Sequence, residues 1–225
     1  MKLSVVMPVL NESACLESLL EGLRKRLGDG DEIIVVDGCS TDDSALIAGR
    51  HADLVLHCDR GRARQMNLGA ERASGDFLWF LHADCGRVLS GHVRALRTLA
   101  DDALWGRFDV RLSGEHPMLF LIGHAMNLRS RWTGIATGDQ GIFIRRDLFQ
   151  ELGGFPEQPL MEDIALSRRL CARTPPVCLR PRLVADSRRW ESRGVWRTTL
   201  LMWQLRWRYW RGEDPARLHR DYYGS

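Results

Sequence analysis

The sequence predicts an α/β fold with a mostly parallel central sheet flanked by helices, on three observations. Short continuous apolar runs recur at residues 3–10, 33–36 and 77–81. Each run ends in a polar cluster that carries a carboxylate: Asn11-Glu12, the stretch from Asp37 to Asp42, and His82-Ala-Asp84. The segments between them have helical periodicity and short turns, giving a β-α-β-α-β-α-β order. Runs of this length, rich in β-branched and aromatic residues, are strands buried on both faces, the habit of parallel sheets. In an open parallel sheet the ligand lies beyond the carboxyl ends of the strands. Asp37, Asp42 and Asp84 are therefore expected along one edge.

The elements follow in order. After the first strand, Cys15, Leu16, Leu19, Leu20, Leu23 and Leu27 recur at helical spacing over residues 12–27, with Asn11 as N-cap. A Gly-Asp turn precedes the second strand, and Thr41-Asp42-Asp43 opens a helix through Ala48. Residues 53–57 are a short strand, and residues 61–73 a loop passing into a helix. Beyond the third acid-tipped strand the pattern loosens. Helices are expected at 88–99 and 117–132, the latter with an apolar face of Leu119, Ile122, Met126 and Leu128. Strands are expected at 106–112 and 141–144, and a short helix ends at Gly153-Gly154. A helix at 162–171, short strands at 177–179 and 183–185, and a long amphipathic helix at 195–211 complete the reading.

Length and composition narrow the class. The chain has 225 residues, enough for one well-buried core, and neither repeats nor low-complexity linkers divide it. A single domain over 1–225 is expected, with about 1–90 holding the acid-tipped strands, 91–194 the less regular half, and 195–225 a helix and tail. The net charge of +3 is too small to argue for nucleic acid, although residues 168–220 are dense in arginine and suit an anionic partner. The six cysteines form no C-x-x-C pair and have no histidines at metal spacing, so they read as reduced thiols of a cytosolic protein. The first apolar run is too short for a secretory signal, and no segment approaches a membrane span.

Several clusters carry chemistry. Asp37 follows four apolar residues at a strand-to-helix turn, where a carboxylate accepts hydrogen bonds from a base or ribose; capping accounts for Thr41 or Asp42. His82 and Asp84 are candidate nitrogen and oxygen ligands after a strand. A hard cation on a diphosphate needs only one or two carboxylates from protein, and Asp84 suffices. The alternative is that His82 satisfies a backbone group and Asp84 caps a turn. Arg62 and Arg64, with the amides of Gln65 and Asn67, enter a helix whose N-terminus adds positive potential for a phosphate or substrate. Gly138-Asp139-Gln140-Gly141 permits close approach of backbone to ligand, or is only a turn. Glu162 and Asp163 open a helix, where the dipole stabilises a carboxylate. The sharper expectation is that Asp163 takes a proton from an attacking hydroxyl.

Taken together, Val6-Met-Pro-Val-Leu-Asn-Glu12, Ile34-Val-Val-Asp-Gly-Cys-Ser-Thr-Asp42, Ala63-Arg-Gln-Met-Asn67, Phe80-Leu-His-Ala-Asp84 and Met161-Glu-Asp163 resemble family 2 glycosyltransferases of the GT-A fold, a Rossmann-like architecture. The runs 61–67, 81–84 and 138–143 are similar to the small bacterial enzymes associated with radical-SAM and selenodomain proteins, some of them of arsenosugar biosynthesis type. The resemblance implies an inverting transfer from a nucleotide-sugar donor, with a divalent cation (Mn2+ or Mg2+) on the diphosphate. It places Pro8, Asn11, Glu12, Asp37, Arg62, Arg64, Asn67 and His82 around the nucleotide and Asp84 on the metal. Gly138, Asp139, Gln140, Arg189 and Trp190 then fall on the acceptor side, with Glu162 beside the base Asp163.

Two departures from the family pattern matter. The usual Asp-x-Asp is His82-Ala-Asp84, which removes the first carboxylate. The Gln-x-x-Arg-Trp of processive members is represented by Asp186-Ser-Arg-Arg-Trp190 with no membrane span after it, so a single transfer is expected. A UDP-sugar donor, a small or lipid-linked acceptor and a cytoplasmic location follow. On the last helix Trp196, Leu200, Trp203, Trp207 and Trp210 form a stripe. It is expected to pack on the protein's own core or on a second subunit; a lipid interface at the inner membrane face is the alternative. Competing readings are a nucleotidyltransferase, disfavoured because the first turn lacks a glycine-rich loop with lysine, and a nucleotide-binding scaffold without turnover.

Overall fold

The computed structural model describes residues 1–86 and 88–224. Seven strands, β1 (Leu3–Val9), β2 (Glu32–Asp37), β3 (Leu54–His57), β4 (Phe77–Phe80), β5 (Trp105–Leu112), β6 (Phe143–Arg145) and β7 (Val177–Ala185), form one sheet. Their order is β3-β2-β1-β4-β6-β5-β7. Only β6 runs against its neighbours; every other pairing is parallel.

Side chains alternate between two apolar layers. Val5 and Met7 of β1 join Ile33, Val35 and Trp79 under Leu16, Leu20 and Leu23 of helix α1 (Ser13–Arg24). Val6, Ile34, Val36, Leu78 and Phe80 face the opposite way, under Ala63, Met66 and Ala70 of helix α3 (Arg62–Arg72). Helices on both faces explain why these strands are continuously apolar rather than alternating. At Gly69 a Cβ would lie 2.5 Å from Val6 Cγ1, so glycine sets how closely α3 lies on the sheet.

Between and beyond these lie α2 (Ser44–His51), α4 (Ser90–Arg97), α5 (Pro117–Thr133), a single 3-10 turn (Gly138–Gln140), α6 (Arg146–Glu151), α7 (Glu162–Cys171), α8 (Arg188–Arg193), α9 (Val195–Trp210) and α10 (Pro215–Tyr223). Among the described residues no helix is long and apolar enough to cross a membrane. All six cysteines are free.

Several expectations are corrected. Asn11 is not the N-cap of α1: it has φ 55, and its Oδ1 accepts from Thr41 N–H at 2.8 Å. The bracing carboxylate is Asp42, which accepts from Ser13 N–H and Ser44 N–H, both at 3.0 Å, at the starts of α1 and α2. The two short strands expected over 177–185 are one strand, β7. Helices α8 and α10 were not anticipated. The tryptophan stripe of α9 does not pack on the core: Trp196, Leu200, Trp203, Trp207 and Trp210 are exposed. The packing face is instead Leu201, Leu205 and Tyr209, set against Leu160, Met161, Ile164 and Leu218.

Candidate active site

Beyond the carboxyl ends of the strands, a cavity of about 820 Å³ opens. The loop after β4 supplies His82 and Asp84, α3 supplies Arg62, and the 3-10 turn supplies Gly138 and Asp139. Helix α7 adds Glu162 and Asp163 at its first turn. Arg188, Arg189 and Trp190 enter from α8, and Tyr222 and Tyr223 from α10.

The turn and α7 are bonded to each other. Gly138 N–H donates to Asp163 Oδ2 at 2.9 Å, and Ile164 N–H donates to Asp163 Oδ1 at 2.7 Å. Gly138 also lies against the His82 ring, which a Cβ would meet at 2.2 Å. His82 Nδ1 is 3.8 Å from Asp139 Oδ1, an ion-pair rather than a hydrogen-bond distance.

Charge in the cavity is unevenly compensated. Burial pushes the Asp163 carboxyl above its usual range, and the two backbone N–H groups offset this only in part. Burial, with the neighbouring Asp163 charge, raises Glu162 likewise; it is 5% exposed. Asp139 goes the other way, because His82 and Arg62 outweigh the effect of burial. The charges of Glu162 and Asp84 favour the protonated form of Arg62. The Asp84 carboxylate makes no hydrogen bond or ion pair with any described residue.

Asp37 closes β2 beside β1 at the same sheet edge but does not line this cavity. It is 3% exposed. Its Oδ2 accepts from Ser40 N–H at 3.1 Å, while Oδ1 is buried without a partner. Pro8, Asn11 and Glu12 flank that edge outside the cavity lining, and Glu12 pairs with Arg188 at 3.2 Å.

Three expected ligands are engaged elsewhere. Arg64, two residues from Arg62 on the helix and so on another face, is exposed and pairs with Asp59 at 3.2 Å and Glu157 at 3.8 Å. Asn67 is spent on backbone: Nδ2 donates to Phe155 O at 2.8 Å, and Oδ1 accepts from Phe155 N–H at 2.9 Å. Gln140 is 0% exposed behind the cavity, its Oε1 accepting from Thr137 N–H at 3.2 Å. Gln65 is likewise structural, donating to Val9 O and Val36 O and so tying β1 to β2. Sequence reasoning missed Arg129 of α5 and the tyrosines of α10. For α10 a signal existed: Asp214-Pro215 is a cap followed by proline at the first helical position, and Asp214 Oδ1 does accept from Ala216 N–H.

The sequence profile of glycosyl transferase family 2 matches residues 4–153, and the chain belongs to that family. A PGL/p-HBAD biosynthesis glycosyltransferase of Mycobacterium tuberculosis is 31% identical over 172 residues, covering 68% of this chain and 62% of the relative. The undecaprenyl-phosphate 4-deoxy-4-formamido-L-arabinose transferase of Pseudomonas paraeruginosa is 30% identical over 167 residues, covering 63% of this chain and 45% of that one. The chain thus spans less than two thirds of the length of these relatives. Among solved structures, S. aureus TarS 1-349 superposes with a TM-score of 0.67 at 21% identity, covering 83% of this chain and 61% of that one. The mannosyltransferase PcManGT from Pyrobaculum calidifontis, in complex with GDP-Man and Mn2+, gives 0.62 at 24% identity, with coverages of 81% and 56%. The fold is the GT-A-like one of these neighbours.

Proposed function

We propose that the chain is an inverting glycosyltransferase that moves one sugar from a nucleotide-sugar donor to a hydroxyl acceptor in a single transfer. The observation that carries the reading is the meeting of Asp84, Arg62, Glu162 and Asp163 in one cavity at the carboxyl edge of the sheet. The unpartnered Asp37 Oδ1 suits a base or ribose donor group. Arg62, at the start of α3, presents both its fork and the helix N-terminus to the diphosphate.

A divalent cation, Mn2+ or Mg2+, fits Asp84, whose carboxylate has no partner among the described residues. No group of three ligating side chains gathers among those residues, so the remaining ligands would come from diphosphate and water. When bound, the cation supplies neutralisation of the charge on the departing diphosphate. The acceptor oxygen attacks the anomeric carbon as the bond to the diphosphate oxygen breaks, and its proton passes to Asp163. Burial makes that carboxylate a better base than a solvated one, and the N–H groups of Gly138 and Ile164 hold it in place.

Neighbours solved with UDP-GlcNAc, and with UDP and Mn2+ or Mg2+, support a UDP-sugar and a divalent cation; a neighbour holding GDP-Man supports testing guanine as well. The exposed tryptophans of α9 support a cytoplasmic enzyme resting on the inner membrane face through residues 195–211, and a second copy is the other occupant of that stripe.

The test is a thermal-shift panel of UDP, GDP, dTDP and their sugar conjugates, with and without Mn2+, followed by Asp163→Asn. A metal-dependent rise with one nucleotide is expected. The variant should keep that rise while transfer falls by about 10²- to 10⁴-fold. Transfer at the wild-type rate would remove Asp163 from the role of base.

A further inference from the structure

Among the cavity arginines that the catalytic scheme does not use, one carries orphaned donors. Arg129, on α5, lines the cavity together with Asp163. Two of its three guanidinium nitrogens, Nε and Nη2, are buried and have no hydrogen-bond partner. Burial and the charge of Arg107 oppose its protonated form, and the nearby Asp163 charge restores it only in part. Orphaned buried donors on a cation are costly, and arginine's fork matches the paired oxygens of a phosphate or carboxylate. Two of the other arginines that line the cavity already have partners. Arg188 pairs with Asp186 and Glu12, and Arg189 stacks 3.6 Å over the Tyr222 ring.

The wall around Arg129 is apolar. Ile122, Met126 and Leu128 come from α5, and Met202 from α9. Trp132 and Trp203 line the same cavity while being 79% and 70% exposed, which puts them at its mouth. An orphaned, half-buried cation and a hydrocarbon wall lining one cavity define a ligand with both features.

We propose that the acceptor is an anionic amphiphile: its phosphate or carboxylate pairs with Arg129, and its hydrocarbon chain runs between α5 and α9 to the tryptophan-lined mouth. The word acceptor rests on the glycosyltransferase reading; the binding site does not. The apolar wall separates this ligand from a soluble anion, and Arg129 separates it from a neutral lipid.

The probes are octyl phosphate, octanol and inorganic phosphate, read by intrinsic tryptophan fluorescence and calorimetry on wild-type protein, Arg129→Gln and Arg129→Lys. Octyl phosphate should bind about tenfold or more tighter than octanol, and tighter again than inorganic phosphate, since each buried methylene contributes about fourfold. Arg129→Gln should erase the preference over octanol, and Arg129→Lys should retain part of it. The UDP-dependent thermal shift in both variants reports that the fold and donor site are intact. An unchanged preference in Arg129→Gln overturns the proposal. So does inorganic phosphate binding as tightly as octyl phosphate, which would mean a soluble anionic acceptor. Binding only to phosphatidylglycerol vesicles, equally in wild type and Arg129→Gln, also overturns it and assigns the tryptophans to surface adsorption. Octyl phosphate binding as stated with no nucleotide shift supports this site and counts against the donor reading alone.

Discussion

Replacing Gly138 by alanine is the most direct probe of how the base is held. The added Cβ would lie 2.2 Å from His82 Cε1 and 2.5 Å from Nε2. The ring cannot swing away freely: His82 is buried, and its carbonyl accepts from Cys85 N–H at 3.0 Å. The turn must therefore move by roughly an ångström to restore normal contact, since packed interiors do not absorb such an overlap. That movement carries the Gly138 N–H away from Asp163 Oδ2, now 2.9 Å distant. Two consequences follow. Misplacing a reacting group by about 1 Å costs up to ~10²-fold in rate, so kcat should fall by about 10- to 100-fold. Losing a donor to its charged form also raises the Asp163 pKa further, which shifts the acid limb of the kcat–pH profile to higher pH. The same sign applies to stability. A carboxyl whose folded pKa lies above its unfolded value contributes stability at low pH that is lost as pH rises through the folded pKa. The variant's deficit should thus widen toward neutrality, on top of an overpacking cost of about 1–3 kcal/mol. Rates from pH 4 to 9 and denaturation at both ends check this; wild-type kcat with an unmoved acid limb would refute the reasoning.

Two further variants test the frame. Arg107 is 0% exposed and ion-pairs with Asp109, which also binds Arg131 at 2.7 Å. Asp109→Asn leaves a buried cation without its carboxylate and should cost about 3–5 kcal/mol; a shift in urea midpoint equivalent to less than about 1 kcal/mol would show that the Phe108 and Asn127 carbonyls satisfy it. For Asp42, burial would raise the pKa, but hydrogen bonds from Ser44 and Ser13 hold it well below the usual range. A depressed pKa gives stability present above the ordinary carboxylate range and lost as pH falls through the folded value. Asp42→Ala should therefore cost about 1–2 kcal/mol at pH 7, with a smaller deficit at about pH 3 in matched denaturant titrations.

How much was legible in the sequence depended on which property a residue's role rests on. The strands of the first half were readable because burial on both faces writes itself as an unbroken apolar run. β7 was split in two by Arg180-Pro181, yet it is one strand. As the last strand in the sheet it tolerates proline's missing N–H, and a register shift opposite Phe108 and Asp109 absorbs the irregularity. Arg62 and Arg64 look equivalent as a motif but not on a helix, where a two-residue step changes face. The amides of Gln65 and Asn67 look like ligands until their backbone partners are known. On α9 the amphipathic period was plain while the buried side was not. The partner surface includes Leu218 of α10, a helix whose Asp-Pro start was overlooked. Arg129 was unreadable in principle, because being orphaned is a property of its surroundings.

The residues that line the cavity also explain why the site holds together. The loop after β4 brings His82 and Asp84, the 3-10 turn brings Gly138 and Asp139, and α7 brings Glu162 and Asp163. These segments are far apart in sequence, and Gly138 touches both of the others: its backbone donates to Asp163 and its bare Cα lies against the His82 ring. Any larger residue there separates the loop after β4 from Asp163. Five acids, Asp84, Asp139, Glu162, Asp163 and Asp186, share the cavity with Arg62 and Arg129, and burial raises two of them, Glu162 and Asp163. Such a set is a poor choice for stability, since buried carboxylates favour the neutral form. It is well suited to chemistry in which a proton arrives at one acid while negative charge leaves toward the arginines. On the proposed reading Asp163 and Arg129 serve the acceptor and Asp84 and Arg62 the donor, all within one cavity.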